Sequence, residues 1–111
     1  MIDTDVYRLT DLSIAEIEPL TVSITELKPE KHTRGHRHLS PEIYAFFSDA
    51  LIQLGNNTYE VKAGQMVLIK SDVFHKVYTS GKQSARFASF FWGARADLKP
   101  SYDMPVEVPA S

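Results

Sequence analysis

No cysteine occurs in the chain, which removes disulfide cross-links, thiolate metal sites and a cysteine nucleophile together. The same absence is compatible with a reducing compartment. An excess of charge of one sign is also missing: 12 Lys+Arg stand against 14 Asp+Glu, a formal net charge of −2. That balance gives no basic footprint for nucleic acid or for an anionic membrane. No apolar run approaches the length of a bilayer span, and the N-terminal stretch MIDTDVYRLTDL is acidic where a secretory signal would be basic. The expectation is a cytoplasmic protein that meets a small molecule, with neither nucleic acid nor membrane as partner. What 111 residues permit is one domain that buries a real core without staples.

Sustained helical period is almost absent as well. Instead, short segments rich in β-branched and aromatic residues alternate with turn signals, which predicts an all-β domain. The expected strands are Thr21 to Leu27, Glu42 to Phe47, Ala50 to Leu54, Thr58 to Val61, Met66 to Ile69, Phe74 to Tyr78 and Ala85 to Trp92. Gly55-Asn56-Asn57 is a hairpin signal, Lys70-Ser71-Asp72-Val73 divides two strands, and Ser80-Gly81-Lys82 turns the chain before the last one. Such close spacing suits a sandwich or a barrel. Asp11 to Glu18 reads either as a capped helical turn or as an irregular edge strand ending at Pro19. Residues 97–111, with Pro100, Pro105 and Pro109, read as an extended tail.

What the chain does possess is a set of metal-ligating side chains: His36, His38 and Glu42 in GHRHLSPE, and His75 in SDVFH. Residues two apart on a strand share a face, so His36 and His38 project together and the even offset to Glu42 keeps the same parity. Imidazole suits zinc, copper, iron and nickel, and a carboxylate extends the range toward manganese. Three neutral imidazoles and one carboxylate leave a divalent ion net positive, able to polarise a carbonyl or a water. A His-Arg-His stretch alone reads better as a solvated loop. Here it is not alone.

Taken jointly, the spacing resembles that of the cupin superfamily in its small single-domain form. The family pattern has a glycine-type turn six residues before the first histidine, HxHxxxE, a turn seven residues beyond the glutamate, and a second motif running from glycine to a histidine eleven residues on. This chain supplies Glu30, His36, His38, Glu42 and Asp49 at the first set of positions and Gly64 and His75 at the ends of the second, within residues 21–92. The resemblance implies a double-stranded β-helix, or jelly-roll barrel, over residues 1–96. It also implies one divalent transition metal ion (Fe, Mn, Ni, Zn or Co) held by His36, His38, Glu42 and His75 near an open end. The departures are all in turns: Glu30 and Asp49 replace glycines, Lys70 and Asp72 replace a proline and a glycine, and Thr79 replaces an asparagine. Asp tolerates positive φ, so Asp49 and Asp72 can make such turns, whereas Glu30 points to a different turn type.

Strand parity sorts the neighbours of these ligands. With Glu42 inward, Tyr44 and Phe46 face the interior, and with His75 inward so does Val77. Phe46 and Val77 read as core, while a buried phenol wants a partner, so Tyr44 can orient a substrate oxygen or donate a proton. His32, four before His36, shares its nominal side unless Gly35 breaks the register; it is a surface histidine or an acid-base group. Lys31, Arg34 and Arg37 form a basic patch, solvated or, at Arg34, able to meet an anionic ligand. Ser89 can line the cavity. Phe90, Phe91 and Trp92 cannot all be buried by one alternating strand, which fits a homodimer.

The expected function is metal-dependent chemistry on a small polar substrate, specifically isomerisation or epimerisation of a sugar-derived or other hydroxy-carbonyl compound, with Glu42, Tyr44 and His32 as candidates to move the proton. Two alternatives use the same residues: an Fe(II)-dependent dioxygenase on an enol or thiol, and a non-catalytic module that binds a small ligand.

Overall fold

Strand-forming sequence dominates the computed structural model, which describes residues 2–13 and 20–92. Nine strands occur there: β1 (Ile2–Asp3), β2 (Tyr7–Ser13), β3 (Leu20–Leu27), β4 (Glu42–Phe46), β5 (Ala50–Leu54), β6 (Asn57–Val61), β7 (Met66–Ile69), β8 (His75–Tyr78) and β9 (Ala85–Trp92). They form a six-stranded sheet in the order β1-β2-β3-β9-β4-β7 and a three-stranded sheet in the order β6-β5-β8. Every pairing is antiparallel. Neighbours in space are remote in sequence, as β9 between β3 and β4 shows, and this is the jelly-roll arrangement expected.

The alternation along β4 explains how the sheets pack: Glu42, Tyr44 and Phe46 are buried, while Ile43 and Ala45 are only half-buried. The core draws on both sheets, with Leu27, Phe46, Ile69, Ala85 and Phe87 from the larger and Ala50, Ile52, Val61 and Val77 from the smaller. Phe46 is 2% exposed and Ile52 fully buried, so each contributes about 1.5–3 kcal/mol of hydrophobic transfer free energy. The aromatic run of β9 divides as alternation demands: Phe91 is buried and Phe90 half-buried, and the side chain of Trp92 lies outside the described residues.

Two strands were not expected. β1 and β2 extend the large sheet at its β3 edge, and the segment Asp11 to Glu18 divides accordingly: Asp11, Leu12 and Ser13 complete β2, and 14–19 lie outside the described residues. So does the tail at 97–111. In β2 the apolar residues Leu9 and Leu12 fall on opposite parities, so the period-two signal that marks a half-buried strand is missing.

The turns carry the departures from the family pattern. Glu30 has φ 63 and donates its N–H to the Gly81 carbonyl at 3.0 Å. The expected change of turn type therefore does not occur; a glutamate adopts the left-handed geometry itself. Asp72 also takes positive φ, at 62. Asp49 does not belong to the positive-φ residues; its carboxylate instead accepts the Ala63 N–H at 3.0 Å and so pins the turn before Gly64. Gly55-Asn56 closes the hairpin between β5 and β6, with Gly55 at φ 61.

Candidate metal centre

The segment between β3 and β4 carries His36 and His38 and joins the small sheet at His36. His36 forms an antiparallel bridge to His75 at the start of β8, donating N–H to its carbonyl at 3.1 Å and accepting in return at 2.9 Å. Gly35 makes this approach possible. Its φ is +85, and a Cβ there would lie 2.7 Å from Cζ of Phe74, so both backbone conformation and space require the missing side chain. His38 is held by a second contact, its carbonyl accepting the Asp72 N–H at 2.7 Å. The positive φ at Asp72 thus serves to position a histidine.

His36, His38, Glu42 and His75 converge: one ligand atom from each lies within 4.8 Å of all the others. Ligand bonds of about 2.0–2.2 Å put atoms on opposite sides of one ion about 4.4 Å apart, so small shifts would close the set. His32 is not among them. Its bridge partner is Tyr78 and its ring packs 5.6 Å from the Tyr78 ring. His32 lies four positions before His36 while Tyr78 lies three after His75, so the extra residue at the Gly35 bulge turns His32 to the opposite face. This is the break in register that Gly35 makes possible, and the surface reading of His32 follows from it.

Second contacts orient the imidazoles. Nδ1 of His38 lies 2.8 Å from the Ser40 carbonyl and Nδ1 of His75 lies 2.9 Å from the Val73 carbonyl. A carbonyl only accepts, so in each ring Nδ1 carries the proton and donates, and a neutral ring turns a bare Nε2 lone pair to the interior. These two lone pairs lie 3.1 Å and 3.3 Å from the same oxygen, Oε1 of Glu42. His75 Nε2 is fully buried and makes no hydrogen bond. Acceptors pointed at one another in a water-poor interior are costly unless a positive charge lies among them. A protonated ring supplies it in part, and a divalent cation satisfies all four groups at once, which is the fit these residues show.

Glu42 itself is 3% exposed. Burial pushes its carboxyl up, but in the metal-free state, where a protonated ring stands in for the cation, the hydrogen bond of His38, the close approach and charge of His75 and a further bond from Ser89 outweigh that and bring it down to about 2. It stands ionised beside the imidazoles. Its Oε2 accepts the Ser89 hydroxyl at 2.7 Å, and Ser89 in turn accepts that of Ser23 at 3.4 Å. Ser89 was expected only as cavity lining. The register that pairs it with both Ser23 and Tyr44, and so places it beside Glu42, is invisible without the sheet order.

Tyr44 is buried with its ring 5.8 Å from that of His75 and 4.8 Å from that of Phe87. It is the inward neighbour of Glu42 along β4, as parity predicts. Arg37, which alternates with His36 and His38, approaches Asp72 at 3.7 Å on the surface, in agreement with the solvated reading of the basic patch. Among the described residues, no helix is long and apolar enough to cross a membrane.

No family model matches this chain, and no curated protein matches it by sequence. Its shape has clear counterparts. A cupin 2 domain-containing protein from Halorhodospira halophila superposes with a TM-score of 0.78 at 15% identity, covering 95% of this chain and 75% of that one. DMSP lyase from Ruegeria pomeroyi gives 0.76 at 16% identity over 94% of this chain and 55% of that one, so this chain spans about half of the enzyme's length. Polyketide cyclase from Streptomyces resistomycificus gives 0.75 at 18% identity, covering 96% and 77%. At these identities the likeness carries the fold, and the fold is that of a cupin.

Proposed function

We propose that this cupin-fold chain is a metal-dependent enzyme acting on a small polar substrate, and that its reaction is isomerisation or epimerisation of a hydroxy-carbonyl compound. The observation that carries the reading is the convergence of two oriented Nε2 lone pairs on one carboxylate oxygen, with His36 completing the set. A divalent ion bound there supplies Lewis acidity to a carbonyl or hydroxyl oxygen, an effect that can contribute several kcal/mol, roughly. That the similar folds include enzymes, a lyase and a cyclase, is consistent with catalysis and does not choose the reaction.

The protein's own groups divide the remaining tasks. Glu42 is anchored at both oxygens and held at a pKa of about 2, which suits a fixed ligand and makes it a weak proton acceptor near neutrality. The proton-moving role then falls to Tyr44, whose ring stands beside His75; as its phenolate it would take the proton from the carbon beside the carbonyl and then return it to the neighbouring carbon or to the opposite face. Phe46 and Phe87, packed around that ring, exclude water from the interior beneath it. His32, bridged to Tyr78, is not assigned a step.

Metal analysis of protein purified without chelator, paired with hydrogen exchange in heavy water over a panel of small hydroxy-carbonyl compounds, tests the reading. Stoichiometric metal and deuterium entering at the carbon beside the carbonyl are expected, both lost in His38→Ala, with exchange alone lost in Tyr44→Phe. Turnover that demands both iron and dioxygen would transfer the site to the oxygenase reading. Tight ligand binding that survives metal removal would make it a binding module.

A further inference from the structure

Ser89 is an anomaly on its strand. The inward positions on either side of it, Phe87 and Phe91, are apolar and buried, yet Ser89 is 4% exposed and faces an equally enclosed Ser23 at 0%. A hydroxyl in such surroundings costs free energy unless its hydrogen bonds are made. Both are made, and in one sense only. Ionised Glu42 can only accept, so the Ser89 proton is committed to Oε2; the Ser89 oxygen is then left to accept from Ser23. The direction Ser23 to Ser89 to Glu42 follows from the carboxylate end. Oε1, by contrast, is the oxygen nearest both His38 and His75.

We propose that Ser89, supported by Ser23, is a positioning residue that keeps Oε2 off the metal and makes Glu42 a one-oxygen ligand. This rests on the metal reading above and extends it. A carboxylate can bind a cation through one oxygen or both, and the two modes differ by one position on the ion. With Oε2 retained by Ser89 the protein offers four atoms, three imidazole nitrogens and Oε1, so that a six-coordinate ion keeps adjacent positions for two neighbouring substrate oxygens. Freed from Ser89, Oε2 would compete for one of them. The serine pair therefore sets how many substrate atoms the centre accepts, although neither serine touches substrate.

Cobalt(II) titration of the metal-free protein tests this, because the ion reports its affinity and, through its visible absorption band, the set of atoms bound to it. Ser89→Ala is expected to weaken cobalt binding about 10–100-fold, the range for loss of a group that orients a metal ligand. Its band should also shift as a second carboxylate oxygen takes the place of a bound water on the ion. Ser89→Thr, which keeps the hydroxyl, should restore both. Ser23→Ala, one bond further out, should move the band the same way by less, and it carries the test by itself if Ser89→Ala does not fold. Wild-type affinity and an unaltered band in the alanine variant would overturn the proposal. A wild-type protein that takes up no cobalt, or a Glu42→Gln variant that binds it normally, would instead overturn the metal reading, and this proposal with it.

Discussion

The same four strands carry two interiors of opposite character. At one end their inward side chains are Glu42 on β4, Ser89 on β9, Ser23 on β3 and His75 on β8; two to four residues along, they are Phe46, Phe87 and Ala85, Leu27 and Val77. Nothing in the backbone separates the two ends, since the ladders of β3, β9 and β4 run through both without interruption. The apolar end supplies the free energy that holds the sheets together. The polar end is a buried array of acceptors that this surplus makes tolerable. A jelly roll can thus hold ligands in its interior because only part of each strand is needed for packing.

The comparison breaks most readily at its apolar end. Phe46→Ala should destabilise the protein by about 3–5 kcal/mol, measured by urea unfolding; a loss below about 1 kcal/mol would mean that the division of labour is drawn in the wrong place. At the polar end the next largest effect is acid-dependent. The Glu42 carboxyl is held at about 2 against an ordinary 4.5, so ionisation favours the folded state above pH 4.5, and that contribution is lost as pH falls toward 2. Linkage puts it on the order of 3 kcal/mol in metal-free protein. Unfolding midpoints should therefore drop over this window in the native sequence and drop less in Glu42→Gln; parallel curves would remove the carboxylate from the account.

Smaller changes sharpen the contrast by probing what mounts the polar end. Gly35→Ala forces a side chain into positive φ and against Phe74, which should cost at least about 2 kcal/mol and displace His36 from its bridge. Placing it in a Phe74→Ala background should return the clash component only; complete recovery would show that the backbone angle carries no strain. Smallest of all, Glu30→Gly relieves a left-handed glutamate far from either interior. It should raise stability by less than about 1 kcal/mol, because glycine's greater freedom when unfolded offsets much of the gain. A loss of stability would show that the Glu30 side chain is wanted in that turn.

How much of this was legible depends on which physical signal each feature leaves. The strands from β3 to β9 and the inward set Glu42, Tyr44 and Phe46 follow from period two, and the four ligands follow from motif spacing. Both are local patterns. β2 left no such trace because its apolar residues Leu9 and Leu12 fall on opposite parities in the sequence. Parity places His32 with His36 only on a regular strand, and the one bulge residue at Gly35, which the sequence marks as a possible break, inverts every face before it. Ser89 and Ser23 are 66 residues apart, and only the crossover that sets β9 between β3 and β4 makes them one group. Charge and hydroxyl partners of this kind are properties of sheet order, which no window along the chain contains.

The donors do not belong to a single sheet. His75 and its bridge partner His36 are fastened to the small one, and Glu42 is a strand residue of the large one. A cation shared among them would act as a clasp between the two halves of the sandwich, so loading it should slow amide exchange along β4 and β8 together, including at positions well removed from the ion.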